Sequence, residues 1–139
     1  MYCICDYGNV DSLIEYKSTL ATVSNIIDFE NFDDIIAVGD FNADPNKGRF
    51  YSEFDRFCND KHLHKYDIDF MPNDSYTYIS SNEVCSTSWL DHVICSDTGM
   101  ISNYAIGYGV TFDDHLPLFF NVKVSDIEIK YLPFSSALS

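Results

Sequence analysis

Apolar positions fall into two regimes that divide near residue 75. Before it they recur at helical steps. Leu13, Tyr16, Leu20, Val23 and Ile27 are spaced by three and four, which predicts an amphipathic helix over 11–29. Ser12 followed by Glu15 predicts a capping box at its start. An acidic link over 28–34 leads into Ile35-Ile36-Ala37-Val38, an unbroken apolar run that predicts a short strand buried on both faces. Gly39 and the polar cluster 42–45 break that strand into a loop. Phe50, Phe54 and Phe57 step by four and three, predicting a second helix over 49–60. The short apolar segment 1–5 reads as a strand already in progress, followed by a Gly8-Asn9 loop. Strand, helix and buried strand in succession form a crossover unit, so helices packed on a sheet are expected.

After residue 75 the period shortens to two. Tyr76-Thr77-Tyr78-Ile79 is strand-like, and 80–86 is a polar turn. Over 89–95, Trp89, Asp91, Val93 and Cys95 alternate with Leu90, His92 and Ile94. Further strands are predicted over 103–110, punctuated by Gly107 and Gly109, and over 118–124. Strands at short intervals without helices between them imply an antiparallel run. Residues 126–139 lack a period and read as a C-terminal tail, which leaves 1–125 as the domain. The fold class expected from these elements is α/β.

A chain of 139 residues has room for one modest domain. With 22 acidic residues against 8 Lys and Arg, its net charge is −14, so its surface repels nucleic acid and anionic membrane unless cations intervene. The five cysteines, Cys3, Cys5, Cys58, Cys85 and Cys95, are odd in number and form no Cys-x-x-Cys. They point to a reduced protein with no disulfide partner and no zinc site. No apolar run approaches a membrane span, and no charged-then-apolar leader opens the chain. A nuclear or cytoplasmic protein, not a secreted one, is expected.

Several polar residues do not fit a core. Asp40 and Asn42 lie just past the carboxyl end of a strand, on one side of an extended chain, where open α/β sheets place their ligands. Such a pair reads either as solvated turn residues or as holders of a water or a metal-bound oxygen. Asp91 interrupts an apolar strand, where an unpartnered carboxylate is costly, unless it faces water at an edge. His115 follows Asp113 and Asp114, whose charges make it hold its proton more tightly. His62 and His64, two apart in a polar stretch, read as surface residues. Brought together, carboxylates, an amide and a carboxylate-oriented histidine suit Mg²⁺, a hard cation, and attack by water on a phosphate ester.

Three segments occur in order: Gly39-Asp40-Phe41-Asn42, then Trp89-Leu90-Asp91-His92-Val93 with serines just before it, then Asp114-His115-Leu116-Pro117-Leu118. With these, the stretch from Met1 to Val124 resembles the endonuclease/exonuclease/phosphatase superfamily. The nearest likeness is to the apurinic-type endonuclease domain of non-LTR retrotransposons. The resemblance implies the C-terminal half of a DNase I-like four-layer α/β sandwich, with DNA as partner and Mg²⁺, or Mn²⁺, as cofactor. It implies that Asp40 deprotonates the attacking water, Asn42 positions water and phosphate, His115 contacts the phosphate and Asp91 orients His115. Asp114 would support the metal or the histidine, and Tyr2 would approach the phosphate. The family carries an early asparagine strand and a strand with the principal metal-ligand glutamate, both ahead of the segment matching 1–5. The chain alone is therefore expected to be weakly active or inactive. A phosphomonoesterase of the same superfamily and a non-catalytic acidic relict or binding module are the alternatives. The lack of a basic cluster weighs against the phosphomonoesterase.

Overall fold

A computed structural model describes residues 7–81, 86–110 and 113–124. Tyr2, the strand expected over 1–5, Cys3, Cys5, Cys85 and the tail expected over 126–139 lie outside the described residues. The first element is helix α1, Val10–Glu30. Its apolar stripe is as predicted: Tyr16 and Leu20 are buried, and Leu13, Val23 and Ile27 pack against the same core. The capping box is not formed. Asn9 is the N-cap instead, its Oδ1 accepting the Ser12 N–H at 2.8 Å. Asn9 lies three residues before Ser12, so its short amide reaches the first turn without help from Glu15. Asn31 closes the helix in the left-handed conformation, with φ 49°.

Helix α2, Phe50–Asp60, presents Phe50, Phe54, Phe57 and Cys58 to α1. Tyr16 stacks on Phe50 with ring centroids 4.0 Å apart. Phe41, Ala43, Leu63 and Ile94 complete this helical core. Burial pushes the Cys58 thiol up to about 12, so this cysteine behaves as an apolar filler.

Strand β1, Ile36–Asp40, pairs antiparallel with β5, Asp91–Cys95, from Ile36 opposite Cys95 to Asp40 opposite Asp91. Strand β2, His64–Lys65, pairs with β5 on its other side, giving the order β1-β5-β2. The expectation that the Ile35–Val38 run is buried on both faces is corrected: Val38 is 42% exposed. Burial on both faces belongs to β5, from His92 to Cys95, because β5 is the central strand. His92 and Ile94 face the helices, while Val93 and Cys95 join Ile101 in a second core. His62 and His64 are exposed, as read, although His64 lies in a strand rather than a loop.

Helix α3, Tyr66–Phe70, went unpredicted; five residues are too few to show a helical period. Strands β3, Tyr78–Ile79, and β4, Thr87–Ser88, pair as a short antiparallel ribbon; of the polar turn expected over 80–86, residues 82–85 lie outside the described residues. Strand β6 runs over Ile101–Ile106, earlier than the expected 103–110, and pairs with β7, Leu118–Val122. Just past β6, Gly107 still donates its N–H to Pro117 O at 2.8 Å and needs to be glycine for that approach, since a Cβ there would stand 2.6 Å from Pro117 Cγ; 107–110 then turn. The result is three layers, with α1 and α2 on one face of β1-β5-β2 and the β6-β7 ribbon on the other. No helix of the described residues is long and apolar enough to cross a membrane.

Candidate active site

The register of β1 against β5 creates the site. Asp40 and Asp91 are direct cross-strand partners, so both carboxylates stand on the same face of the sheet. Two like charges in that relation repel, and a third group is needed between them. His115 supplies it. Its Nδ1 lies 2.7 Å from Asp91 Oδ2, and its Nε2 lies 3.6 Å from Asp40 Oδ2. The segment carrying His115 is stitched to the β3 ribbon. Ile79 N–H donates to Asp114 O at 2.9 Å, Leu116 N–H donates to Thr77 O at 2.7 Å, and the His115 ring packs on Tyr78. Buried Leu116 anchors the segment beneath.

The electrostatics follow from this packing. Burial raises Asp40 to about 6, opposed by the Asn42 N–H; Asp91's charge adds to the rise and His115's subtracts from it. For His115, burial favours the neutral ring. The hydrogen bond to Asp91 and the charges of Asp91, Asp40 and Asp113 together outweigh it, so the ring holds its proton above the usual range. Asp40 Oδ1 also accepts the Asn42 N–H at 2.9 Å. Asp40, Asn42 and His115 line one cleft of about 520 Å³. Lys47 and Arg49, two of only eight cationic residues in the chain, stand on the same cleft. Lys47 Nζ donates to Thr87 O at 2.8 Å and lies 3.9 Å from Asp44 Oδ2.

Four of the residues singled out from sequence therefore converge: Asp40, Asn42, Asp91 and His115. Asp114 does not join them. It is exposed, and its backbone carbonyl serves the β3 ribbon. Tyr2 is outside the described residues. Sequence reasoning also passed over groups that build the site from behind. Thr77 Oγ1, fully buried, accepts the backbone N–H groups of Leu90 and Asp91 at 3.0 Å each and sets the entry of β5. Asp44, 6% exposed, accepts the Trp89 N–H at 3.0 Å and the Asn46 N–H at 2.8 Å. Asp67 and His92 form a fully buried pair, Nδ1 to Oδ2 2.8 Å. The signal for the last pair was a histidine on the inward-facing side of a central strand, a position that demands a partner.

One oxygen or nitrogen from each of Asp40, Asp91 and His115 lies within 4.8 Å of the others. Two hard carboxylate oxygens beside an imidazole fit a divalent cation, and the crowding of Asp40 against Asp91 is what such a charge would relieve.

This arrangement is that of a DNase I-like α/β sandwich, present in part. Among solved structures, the chain is similar to the "Endonuclease domain of TRAS1, a telomere-specific non-LTR retrotransposon", with a TM-score of 0.68 and 16% sequence identity. The match covers 79% of this chain and 52% of that one, so this chain spans about half the length of the domain it matches. No protein-family model and no curated protein sequence matches it.

Proposed function

We propose that this chain carries a divalent-cation-dependent phosphodiesterase site that acts on DNA, of retroelement-endonuclease type. The observation that carries this reading is the Asp91–His115–Asp40 chain opening onto a cleft with Asn42, Lys47 and Arg49. Asp40, with its carboxyl near 6, is ionised at pH 7 to 8 and can accept the proton of an attacking water. Asn42, beside it on the cleft, orients that water against the phosphate. In its protonated form, which the surrounding carboxylates favour and Asp91 fixes in place, His115 donates a hydrogen bond to a phosphoryl oxygen. Bound Mg²⁺ or Mn²⁺, held by the Asp40 and Asp91 carboxylates, would neutralise phosphate charge. Lys47 and Arg49 offer local positive charge to a backbone that the rest of the surface repels. Likeness of fold to a retrotransposon endonuclease domain supports DNA over a small phosphomonoester.

Among the described residues, Asp40 and Asp91 are the carboxylates of this cluster, and slow turnover is expected from so sparse a donor set. The test is conversion of supercoiled plasmid to nicked circles with Mg²⁺ or Mn²⁺. Slow, metal-dependent nicking should disappear in Asp40→Asn and fall about 10²-fold or more in His115→Ala. Nicking no faster than in Asp40→Asn, at any cation concentration, overturns the catalytic reading.

A further inference from the structure

Asn42 has φ 49°, in the left-handed region that residues bearing a Cβ rarely occupy. Asparagine tolerates that region better than most, but the conformation persists only where its surroundings over-determine it. Both neighbours of Asn42 are fully buried, and both of their carbonyls are held. On one side, the Tyr16 hydroxyl donates to Phe41 O at 2.8 Å, and the Phe41 N–H donates to Leu90 O at 2.9 Å. On the other, His92 Nε2 lies 2.6 Å from Ala43 O, and the next residue, Asp44, holds the Trp89 N–H.

His92 is itself fixed. Its Nδ1 meets Asp67 Oδ2, which also accepts the Trp89 Nε1–H at 2.9 Å, while Asp67 Oδ1 accepts the Val93 N–H at 3.0 Å. The ring is stacked on Phe54, with centroids 5.2 Å apart. Neither His92 nor Asp67 exposes any surface, so neither can touch substrate.

We propose that His92, oriented by Asp67, and Tyr16 are positioning residues. They clamp the carbonyls on either side of Asn42 and so hold the left-handed turn that brings the Asn42 N–H onto Asp40 and presents both side chains to the cleft. A helix α1 residue and a central-strand residue thus set a loop to which neither belongs. The clamp acts on backbone geometry; only its consequence for rate rests on the phosphodiesterase reading.

The test is heteronuclear NMR of the full chain, following the backbone shifts and the N–H to Hα coupling of residue 42. His92→Phe keeps a ring between Phe54 and Trp89 but removes the donor to Ala43 O. Residue 42 is expected to leave the left-handed region, with amide shifts over 40–44 in addition to those at residue 92 and its partners Asp67, Phe54 and Trp89. His92→Gln, whose amide can reach the same carbonyl, is expected to restore the wild-type pattern at residue 42. In an Asn42→Gly background, where a left-handed backbone carries no steric cost, His92→Phe should leave residue 42 in the left-handed region. Tyr16→Phe, the loss of one hydroxyl, is the variant to read if His92→Phe does not fold. It too should move residue 42. If the nicking activity holds, His92→Phe should lower it about tenfold or more while His92→Gln retains it, since a displacement of the order of 1 Å at a reacting group costs that much. A residue 42 that stays left-handed in both His92→Phe and Tyr16→Phe overturns the proposal, whatever the cleavage result.

Discussion

Two histidine–aspartate pairs meet at adjacent residues of one strand. Asp91 of β5 reaches out to His115, and His92, the next residue, reaches inward to Asp67. The nitrogen–oxygen distances are nearly equal, 2.7 and 2.8 Å. What differs is the surroundings. His115 is 35% exposed along its side chain and opens onto a cleft; His92 and Asp67 are fully buried. Asp67 is saturated by the Trp89 and Val93 N–H groups, and His92 has both nitrogens against acceptors. His115 keeps one nitrogen facing the cleft and Asp40. The same chemical pair is thus a fastener in one place and an available donor in the other. Alternation along a strand assigns the two roles to consecutive residues.

The largest separation of the two pairs should come from breaking them. Asp67→Ala leaves a buried ring without its partner and is expected to cost about 3–5 kcal/mol, read as a lowered urea midpoint. Asp91→Ala should cost about 1 kcal/mol or less, because its histidine is partly solvated. Equal losses would erase the distinction.

The second contrast is in pH. The Asp40 carboxyl is raised in the folded protein, so folding favours its protonated form. That contribution is fully present below the ordinary carboxylate value and is lost as pH rises toward about 6. Asp40→Asn, which cannot ionise, should therefore be the more stable protein at pH 8 by roughly 2 kcal/mol, and should lose that advantage at pH 4. An advantage independent of pH would show that burial of Asp40 is not the cause. The raised His115 acts in the same direction at higher pH. Its contribution is complete below the ordinary histidine value of 6.5 and is lost as pH passes the raised one.

A third measurement adds cation. Millimolar Mg²⁺ or Mn²⁺ should raise the melting temperature of the wild type at pH 7.5, and should not raise that of an Asp40→Asn, Asp91→Asn double variant. A shift of similar size in both would place the ion away from the cleft. The smallest effect expected is at the rim. Lys47→Ala should weaken DNA binding and reduce the slope of log affinity against log salt by about one. An unchanged slope would remove Lys47 from the DNA path.

Much of the site was legible in sequence because its members interrupt the apolar pattern. Asp91 in a hydrophobic strand and Asp40 at a strand end are anomalies that need partners. The helical stripe of α1 and the triplet of α2 phenylalanines were legible for the converse reason, since their spacing obeys the helix period. The Asn9 cap was missed because Ser12 and Glu15 satisfy the same short rule three residues later. Asp67 was missed because it lies in a five-residue helix amid other acidic residues, where nothing local marks it as buried. Asp114 was named with its neighbour His115, but it lies in an exposed bend just ahead of the His115 bridge, and of the two only His115 stands in the cluster with Asp40 and Asp91.

The sequence by itself determined which residues would be apolar on one face, where the chain must turn, and which polar groups could not be left alone. Those are local properties, set by side-chain period and the cost of burying charge. The tertiary structure decided which strand is central, that Asp40 stands opposite Asp91, and that one histidine faces the cleft while the other is buried behind it. Register and layer order depend on pairings between segments about fifty residues apart. A shift of one residue in that register would turn Asp91 inward and His92 outward and exchange the two pairs' environments.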